Sequence, residues 1–438
     1  MKAADDKRAL CWLAAIGAAI AALTLLTPAA FKAGGDNYYM AMTIPAGLLA
    51  IAAARIADRA PATQALWLIF GLAIAMRAAL LTHEPLLSTD IYRYVWDGRV
   101  QAAGINPYRY APADAALAAL RDQVIYPNIN RADYAVTIYP PVAEMFFLIV
   151  TRLGETVTAM RIALLACEAL TVALIVLLLR RLGQPPTRVV AYAWHPLAMW
   201  EIANSGHVDA LMIALMMLGL WFAMRNRPLK AAASIALGAL VKPFAALALP
   251  SAWRPWDWRA PCVVATIAAV CYAPYLTVGS GVLGFLAAGY LDEEGIATGQ
   301  DIWPLAIWRL IAGQHRGDAL IYFAGAALGL FAFAFRIARG NKASPGANLS
   351  DINKLLLAFL FLLSPNYPWY FLMVTPFVAL CGGAPTWTAS IAALLLQEEA
   401  GWGEYVSLFA RKSILYGAML LACAWSIWIA RRKRNEMT

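Results

Sequence analysis

The amino-acid sequence predicts an all-α, polytopic membrane protein with about twelve transmembrane helices. Apolar residues occupy 62% of the 438 positions, whereas charged residues occupy only 14%. Soluble proteins carry about 25% charged residues, because their surface has to be largely polar. The apolar residues also fall into runs of about 20 positions, the length that crosses the hydrocarbon core of a bilayer. A soluble single domain, a nucleic-acid-binding protein and a disordered chain are therefore excluded.

Nine apolar runs are continuous enough to predict helical spans. The first run is too long for the apolar part of a cleaved signal peptide, so we expect an uncleaved helix there. The runs cover residues 9–28, 39–57, 64–82, 157–180, 187–204, 207–225, 261–279, 318–337 and 412–430. A further apolar region, 353–397, is broken by prolines and glycines and predicts three shorter spans. Such breaks are tolerated at membrane depth where protein or a water-filled cavity satisfies the backbone.

Lysine and arginine cluster in the short loops between these runs. The positive-inside rule assigns such loops to the cytoplasmic side. They cover residues 1–8, 55–60, 180–188, 225–230, 254–259, 336–342 and 431–434. All of them lie on one side only if 139–153 and 229–250 fail to cross completely. Both termini are then cytoplasmic, and the acidic loops 292–294 and 398–404 lie on the opposite side.

Residues 83–138 form the longest segment outside the predicted spans, and this topology makes them an extracytoplasmic loop. The segment contains six carboxylates and five arginines. A connection of this length is usually functional rather than a plain linker. Near its start, Ser88 or Thr89 can cap a short helix. We expect the chain to form one membrane domain, 1–438, with its active site in this loop.

The predicted short helix is amphipathic. Asp90, Arg93, Tyr94 and Asp97 share one face by their spacing, so the helix would present carboxylates and a guanidinium at the membrane surface. The alternative is an Arg93–Asp97 ion pair that only makes the helix soluble.

A second polar cluster is the turn between the spans 187–204 and 207–225. It contains His207 and Asp209 and follows Glu201, which lies in an apolar run. Ionisable groups at membrane depth are costly unless they are paired, and they usually mark functional cavities. A histidine at a helix end that only forms a structural hydrogen bond is the alternative.

Two further candidates lie in the second half of the chain. Lys242 is the only charge between Ala231 and Ala252, and it could bind an anionic head group or extend to the inner interface. The topology places it toward the cytoplasmic side. The run 364–370 is an aromatic, proline-broken helix end that either lines a ligand site or belongs to an interfacial aromatic belt.

The cysteines give no indication of a metal site or a disulfide framework. There are six, without a C-x-x-C pair, and all lie in or beside apolar stretches. Buried free thiols are the expected state. They are Cys11, Cys167, Cys262, Cys271, Cys381 and Cys423.

Several short runs resemble bacterial glycosyltransferases of the GT-C superfamily, in particular family 87 and related mannosyltransferase-like proteins. The resemblance covers most of the chain from about residue 64, and the block 88–110 is its most specific part. The runs are Asp90-Ile-Tyr-Arg-Tyr-Val-Trp-Asp-Gly-Arg, Gly104-Ile-Asn-Pro-Tyr, Ile138-Tyr-Pro-Pro, Ser205-Gly-His-Val-Asp, Val241-Lys-Pro-Phe and Ser364-Pro-Asn-Tyr-Pro-Trp-Tyr.

The resemblance implies a multi-pass enzyme of the inner (cytoplasmic) membrane with an extracytoplasmic active site. Such enzymes move a hexose from a polyprenyl-phosphate donor to a lipid or glycan acceptor with inversion, and the resemblance to mannosyltransferase-like proteins suggests mannose as the hexose. Asp90 matches the position of the general base. It is a lone aspartate rather than an Asp-x-Asp pair, so we expect no cofactor, with the role of a divalent metal left open.

Cations must meet the charge that develops on the leaving phosphate. Arg93, Arg99, His207 and Lys242 are the candidates for this role. Asp97 could orient Arg93 or contact the sugar. The residues predicted to line the substrate site are Tyr92, Tyr94, Asp97, Asn106, Tyr108, Tyr139, Asp209, Asn366, Tyr367, Trp369 and Tyr370.

Two other functional classes compete with the enzyme. A transporter or flippase of a lipid-linked sugar would use the broken helices near 242 and 365, since transporters place charged sites on such helices. The absence of an internal repeat and the concentration of polar residues in an outer loop favour the enzyme. In the third class, a non-catalytic assembly subunit, Asp90 would be dispensable.

Overall fold

The predicted all-α architecture is confirmed. The computed structural model describes residues 2–285, 289–290, 293, 295, 298–340, 345–397 and 406–436, and these residues contain helices and no β-strand. The α-helices are Lys2–Ile56, Ala62–Leu81, Asp90–Ala102, Pro141–Leu153, Val157–Arg181, Val190–Ala193, Pro196–Ala198, Asp209–Met224, Pro228–Ala239, Arg259–Tyr272, Trp303–Ala312, Asp318–Arg339, Pro345–Leu363, Thr375–Leu380, Ala384–Ala392 and Leu408–Asn435.

Shorter helical turns connect these helices. One of them, Met199–Asn204, has π-helical geometry. The others are 3₁₀ turns at Ala57–Arg59, Ala115–Leu120, Tyr126–Asn128, Pro186–Val189, Pro243–Ser251, Ala273–Leu283, Pro368–Val374 and Ala393–Leu396.

Within the described ranges, six helical segments are long and apolar enough to cross a membrane. They are Asp5–Arg59, Ala62–Leu81, Val157–Arg181, Arg259–Leu283, Asp318–Arg339 and Leu408–Lys433. The first of them contains two predicted spans, because the backbone leaves helical geometry at Gly34 and Gly35, where Gly35 has a φ of 60°. The chain is therefore a multi-pass membrane protein, while the total of twelve crossings stays a prediction.

One predicted span is not a continuous helix. Residues 187–204 are divided into 3₁₀, α and π segments. Pro196 accounts for the break, since proline has no backbone N–H and its ring clashes with a preceding helical turn. The helix Asp209–Met224 is also shorter than predicted, at 16 residues. The region 353–397 is interrupted as predicted, with Ser364 in the left-handed region at φ 50°.

Two helices form the periphery of the bundle. In each of Arg259–Leu283 and Asp318–Arg339, only 6% of the most apolar 18-residue stretch is buried by the rest of the protein. Leu320 is 76% exposed and Phe331 is 65% exposed. Apolar side chains exposed at this scale fit contact with lipid acyl chains.

A buried ion pair joins two of the long helices. Arg77 donates from Nε and Nη2 to the two oxygens of Glu168, at 2.7 and 2.6 Å. A third donor, Nη1, binds the backbone oxygen of Ala193 at 2.9 Å. Both charges therefore have hydrogen-bonding partners inside the bundle, which is the condition for keeping charges at membrane depth.

Three of the basic loops meet at one end of the bundle. Thr187 Oγ1 donates to Asp58 Oδ1 at 3.0 Å, and Arg181 Nε donates to the backbone oxygen of Met224 at 3.0 Å.

The loop 83–138 begins at the other end of the helix Ala62–Leu81. Its Arg131 pairs with Glu293 of the acidic loop at 2.5 Å, as the predicted topology requires. The rest of 292–294 and all of 398–404 lie outside the described residues.

Candidate active site

A cavity of about 190 Å³ lies beside the N-terminus of the helix Asp90–Ala102. Its walls come from the loop 83–138, from the break after Pro228–Ala239, and from the aromatic run 364–370. The residues predicted for the site that line it are Asp90, Arg93, Tyr139, Lys242, Tyr367, Trp369 and Tyr370. Residues from the loop 83–138 and just after it, from the break at Lys242 and from the run 364–370 are therefore brought together.

The helix Asp90–Ala102 is held closely against Pro141–Leu153. Gly98 makes this approach possible, because a Cβ atom at that position would lie 2.6 Å from the backbone oxygen of Phe147. The helix begins at Asp90, whose backbone N–H donates to Ser88 Oγ at 3.2 Å. The N-cap residue is Thr89, which forms no side-chain capping hydrogen bond in the described part of the chain, so the predicted cap by Ser88 or Thr89 is absent and the hydrogen bond of Ser88 is with the first residue of the helix.

Asp90 is the carboxylate at the cavity. Its side chain is 20% exposed, and Oδ1 accepts a hydrogen bond from Asn130 Nδ2 at 2.8 Å. Oδ2 lies 3.9 Å from His207 Nδ1. Because no arginine or lysine within the described ranges forms an ion pair with it, this carboxylate is available to accept a proton.

Arg93 and Asp97 form a buried ion pair, with Nε donating to Oδ1 at 2.8 Å. Arg93 is 6% and Asp97 1% exposed, so the alternative of a pair that only solubilises the helix is wrong. Burial raises the pKa of Asp97, and the charge of Arg93 partly opposes this rise. Arg93 lines the cavity and Asp97 does not. Of the two predicted roles of Asp97, the geometry therefore fits the orientation of Arg93 rather than contact with a sugar.

Lys242 lies at the same end of the bundle as Asp90. Its Nζ is 2.5 Å from Asp209 Oδ2 and 5.7 Å from the centre of the Tyr370 ring. The prediction that Lys242 and Asp90 lie on opposite sides of the membrane is wrong, because both line the same cavity. The helix Pro228–Ala239 packs along Asp209–Met224 and returns the chain to the Asp209 end, where Lys242-Pro243 breaks it. Asp209 serves here as the partner of Lys242 and does not line the cavity.

An aromatic stack forms one wall. The rings of Tyr367 and Trp369 are parallel within 5° at 4.4 Å, and His207 stacks on Trp369 at 4.4 Å. His207 is fully buried and does not line the cavity. Its position therefore does not fit the predicted direct contact with a phosphate.

His207 lies instead between two carboxylates. Nδ1 is 3.9 Å from Asp90, and Nε2 is 3.2 Å from Glu201 Oε2. The first contact is too long for a hydrogen bond, the second is not aligned as one, and within the described ranges both oxygens of the fully buried Glu201 lack a hydrogen-bonding partner. Glu201 belongs to the π-helical turn Met199–Asn204, a geometry that is frequent at functional sites.

Several residues predicted for the site have other partners. Arg99 pairs with Glu155 and, at 2.7 Å, with Asp122, on a different side of its helix from the cavity. These contacts do not fit the predicted binding of a donor phosphate. Asn366 accepts a hydrogen bond from Lys412 Nζ at 2.6 Å and lies beside the cavity rather than in its wall.

The remaining predicted residues do not line the cavity and instead contact the loop or the helices beside it. Asn106 donates to the backbone oxygen of Tyr275, and Tyr108 Oη donates to that of Tyr139 at 2.6 Å. Tyr94 is buried and stacks on Phe147 at 4.6 Å. Tyr92 is partly buried and also lies outside the lining.

The lining residues that sequence reasoning missed include Asn130, Arg131 and Tyr290. Arg131 has a φ of 54°, a conformation that is uncommon for residues other than glycine and that often marks functional sites. It adds a third cation to the lining, beside Arg93 and Lys242. Its only signal in the sequence is its place among the arginines of the loop 83–138.

The cysteines are free thiols, as predicted, but the prediction that all of them are buried is wrong, since only Cys271 is buried and Cys11 and Cys262 are exposed. Among the residues that the structure describes, no three His, Cys, Asp or Glu side chains are grouped so as to hold a metal ion. The involvement of a metal stays open.

Comparison with known proteins identifies a family that this chain matches. The family model described as "Alpha-(1->6)-mannopyranosyltransferase, N-terminal domain" matches residues 10–257. The matched part includes Asp90, Arg93 and Lys242. Alpha-(1->6)-mannopyranosyltransferase A of Mycobacterium tuberculosis (strain ATCC 25618 / H37Rv) is 28% identical over 202 residues, which are 45% of this chain and 36% of that protein. The match thus spans about a third of the relative's length. No solved structure matches the chain significantly.

Proposed function

The chain belongs to the alpha-(1->6)-mannopyranosyltransferase family, and on this premise we propose that it transfers mannose from a polyprenyl-phosphate carrier to a lipid or glycan acceptor. We place the reaction on the extracytoplasmic face of the inner membrane, where a cell-envelope glycan is built. The cavity at Asp90 carries the proposal, because it combines an accessible carboxylate, three cations and a stack of aromatic rings.

The proposed reaction is an inverting displacement at the anomeric carbon of the sugar. Asp90 removes the proton from the acceptor hydroxyl while the new glycosidic bond forms and the bond to phosphate breaks. Arg93, Arg131 and Lys242 meet the negative charge that develops on the phosphate. Tyr367 and Trp369 stack on the sugar, and the prenyl chain stays between helices in the bilayer. Holding the lipid donor and the acceptor at one surface supplies the proximity that the reaction needs.

The function is tested with the purified full-length protein in lipid. It is given radiolabelled polyprenyl-phosphate sugars and nucleotide sugars, one at a time, together with a crude envelope extract as acceptor. We expect transfer from the mannose donor. Transfer only from a nucleotide sugar would contradict the proposed donor, and movement of the lipid-linked sugar across the bilayer without transfer would favour a flippase.

Lys242 is expected to act on the donor. Changing it alone would leave the buried Asp209 without its partner, so the test uses Lys242→Gln together with Asp209→Asn. We expect this pair of changes to lower kcat/KM about 100-fold, the usual size of losing one charge-stabilising donor. The matched control is Arg99→Gln, which also removes an ion-paired cation but lies outside the cavity. It should change kcat/KM by no more than about fivefold, and equal losses would contradict the assignment.

His207 is expected to act through Asp90 and not on the phosphate. His207→Gln should lower kcat about tenfold and leave the KM for the donor unchanged, because His207 positions the base from behind the cavity wall. A raised donor KM would instead indicate direct phosphate binding. His195→Gln is the control, since His195 is also fully buried and stacks on a tryptophan, Trp387, away from the cavity. It should leave both constants unchanged.

A further inference from the structure

A second, larger cavity of about 570 Å³ lies at the opposite end of the helix Ala62–Leu81 from Asp90. One wall is a single face of the first long helix, where Ile44, Leu48, Ile51 and Arg55 follow each other at helical spacing. The other wall includes Trp387 and Ile391. We call this the Arg55 groove. Its walls are almost entirely apolar, and its charged lining residues are Arg55 and Arg188.

The dimensions of the Arg55 groove match one leaflet of a bilayer. Ile44 and Arg55 are eleven residues apart on a helix that rises 1.5 Å per residue, so the apolar stripe is about 16 Å long. Half of the hydrocarbon core of a bilayer is about 15 Å thick. An acyl chain that fills the stripe would therefore end where the arginines begin.

The charge at this end of the groove is positive. Arg188 Nη1 donates to the neutral side chain of Gln184 at 2.7 Å. No carboxylate of the described ranges forms an ion pair with Arg55 or Arg188. The nearby Asp58 accepts its hydrogen bond from Thr187. Two guanidinium groups beside an apolar groove are complementary to a phosphate that carries an acyl chain.

We propose that the Arg55 groove binds an anionic phospholipid of the membrane, with one acyl chain along Ile44–Arg55 and its phosphate between Arg55 and Arg188. This site is separate from the proposed transfer reaction, since it shares no lining residue with the cavity at Asp90. Its place among the basic loops assigns it to the cytoplasmic leaflet.

The test is native mass spectrometry of the full-length protein in detergent, titrated with phosphatidylglycerol or with phosphatidylcholine of the same acyl chains. Two arginines near a membrane surface correspond to roughly a 30-fold preference for the anionic lipid. We expect this preference in the unchanged protein and its loss in the double variant Arg55→Gln, Arg188→Gln. Arg59→Gln is the matched control, because Arg59 is a neighbouring exposed arginine outside the groove.

Further experiments determine whether the bound phosphate belongs to a phospholipid, to glycerol phosphate without acyl chains or to polyprenyl phosphate. Thr388→Trp, which fills the groove and keeps both arginines, should weaken binding of both lipids. The proposal is overturned if the double variant keeps the preference, if Arg59→Gln loses it equally, or if glycerol phosphate without acyl chains binds as well. Displacement of phosphatidylglycerol by an equal amount of polyprenyl phosphate would also overturn it and make the groove a carrier site. Melting curves without added lipid should be the same for all variants.

Discussion

Changing Asp90 to Asn is expected to reduce mannose transfer by about 10³-fold, because the acceptor hydroxyl then loses its general base. The amide keeps the size and the hydrogen bond with Asn130, and the carboxylate has no ion pair in the described structure whose loss would destabilise the fold. Membrane insertion and the melting temperature should therefore not change. The measurement is the initial rate of transfer at saturating polyprenyl-phosphate mannose.

The matched control is Asp133→Asn, an exposed carboxylate of the same loop that does not line the cavity. It should transfer at the rate of the unchanged protein. If Asp90→Asn transfers as fast as this control, Asp90 is not the base, and the assembly-subunit hypothesis gains support.

Changing Arg77 to Met is expected to destabilise the protein by about 3–5 kcal/mol, the usual cost of removing one partner of a buried ion pair. Glu168 is only 2% exposed and would be left without its two charge-assisted hydrogen bonds between the helices. The measurement is the free energy of unfolding from titration with a denaturing detergent.

Two comparisons make this expectation specific. The double variant with Glu168→Met should recover most of the loss, since replacing both buried charges with apolar groups is often neutral. Lys354→Met breaks an exposed pair with Asp351 and should cost less than about 1 kcal/mol. If Arg77→Met is no more destabilising than Lys354→Met, the buried pair does not stabilise the bundle.

The sequence was sufficient for those parts of the site that depend on local periodicity. The helix from Asp90 and its Arg93–Asp97 pair follow from the spacing of the residues. The prediction that this face is presented at the membrane surface is wrong, because Arg93, Tyr94 and Asp97 are buried against neighbouring helices. Helix geometry also argues against Arg99 at the cavity. A helix turns by about 100° per residue, so Arg99 is rotated by about 120° from Arg93 and points elsewhere. Helical rotation alone therefore argues against the prediction that Arg99 binds the donor phosphate at the cavity.

The other differences between the predicted site and the observed site depend on tertiary structure. Counting charges cannot determine that a 12-residue helix brings Lys242 back to Asp209, because this requires the packing of two helices. The meeting of Glu201 and His207 depends on a π-helical turn, and no periodicity in the sequence indicates such a turn. The third cation, Arg131, lines the cavity from a left-handed backbone conformation that the sequence does not indicate.

The cavity walls come from two parts of the chain, and this division has a consequence for how substrate choice changes among related proteins. Asp90, Arg93, Arg131 and Lys242 lie within residues 10–257, which the family model matches, whereas the stacked rings of 367–370 lie beyond them. On the proposed assignment, the acid–base and phosphate residues lie in one half of the chain and the rings that meet the sugar lie in the other. Chimeras that exchange the second half between relatives would then change substrate choice while retaining the reaction.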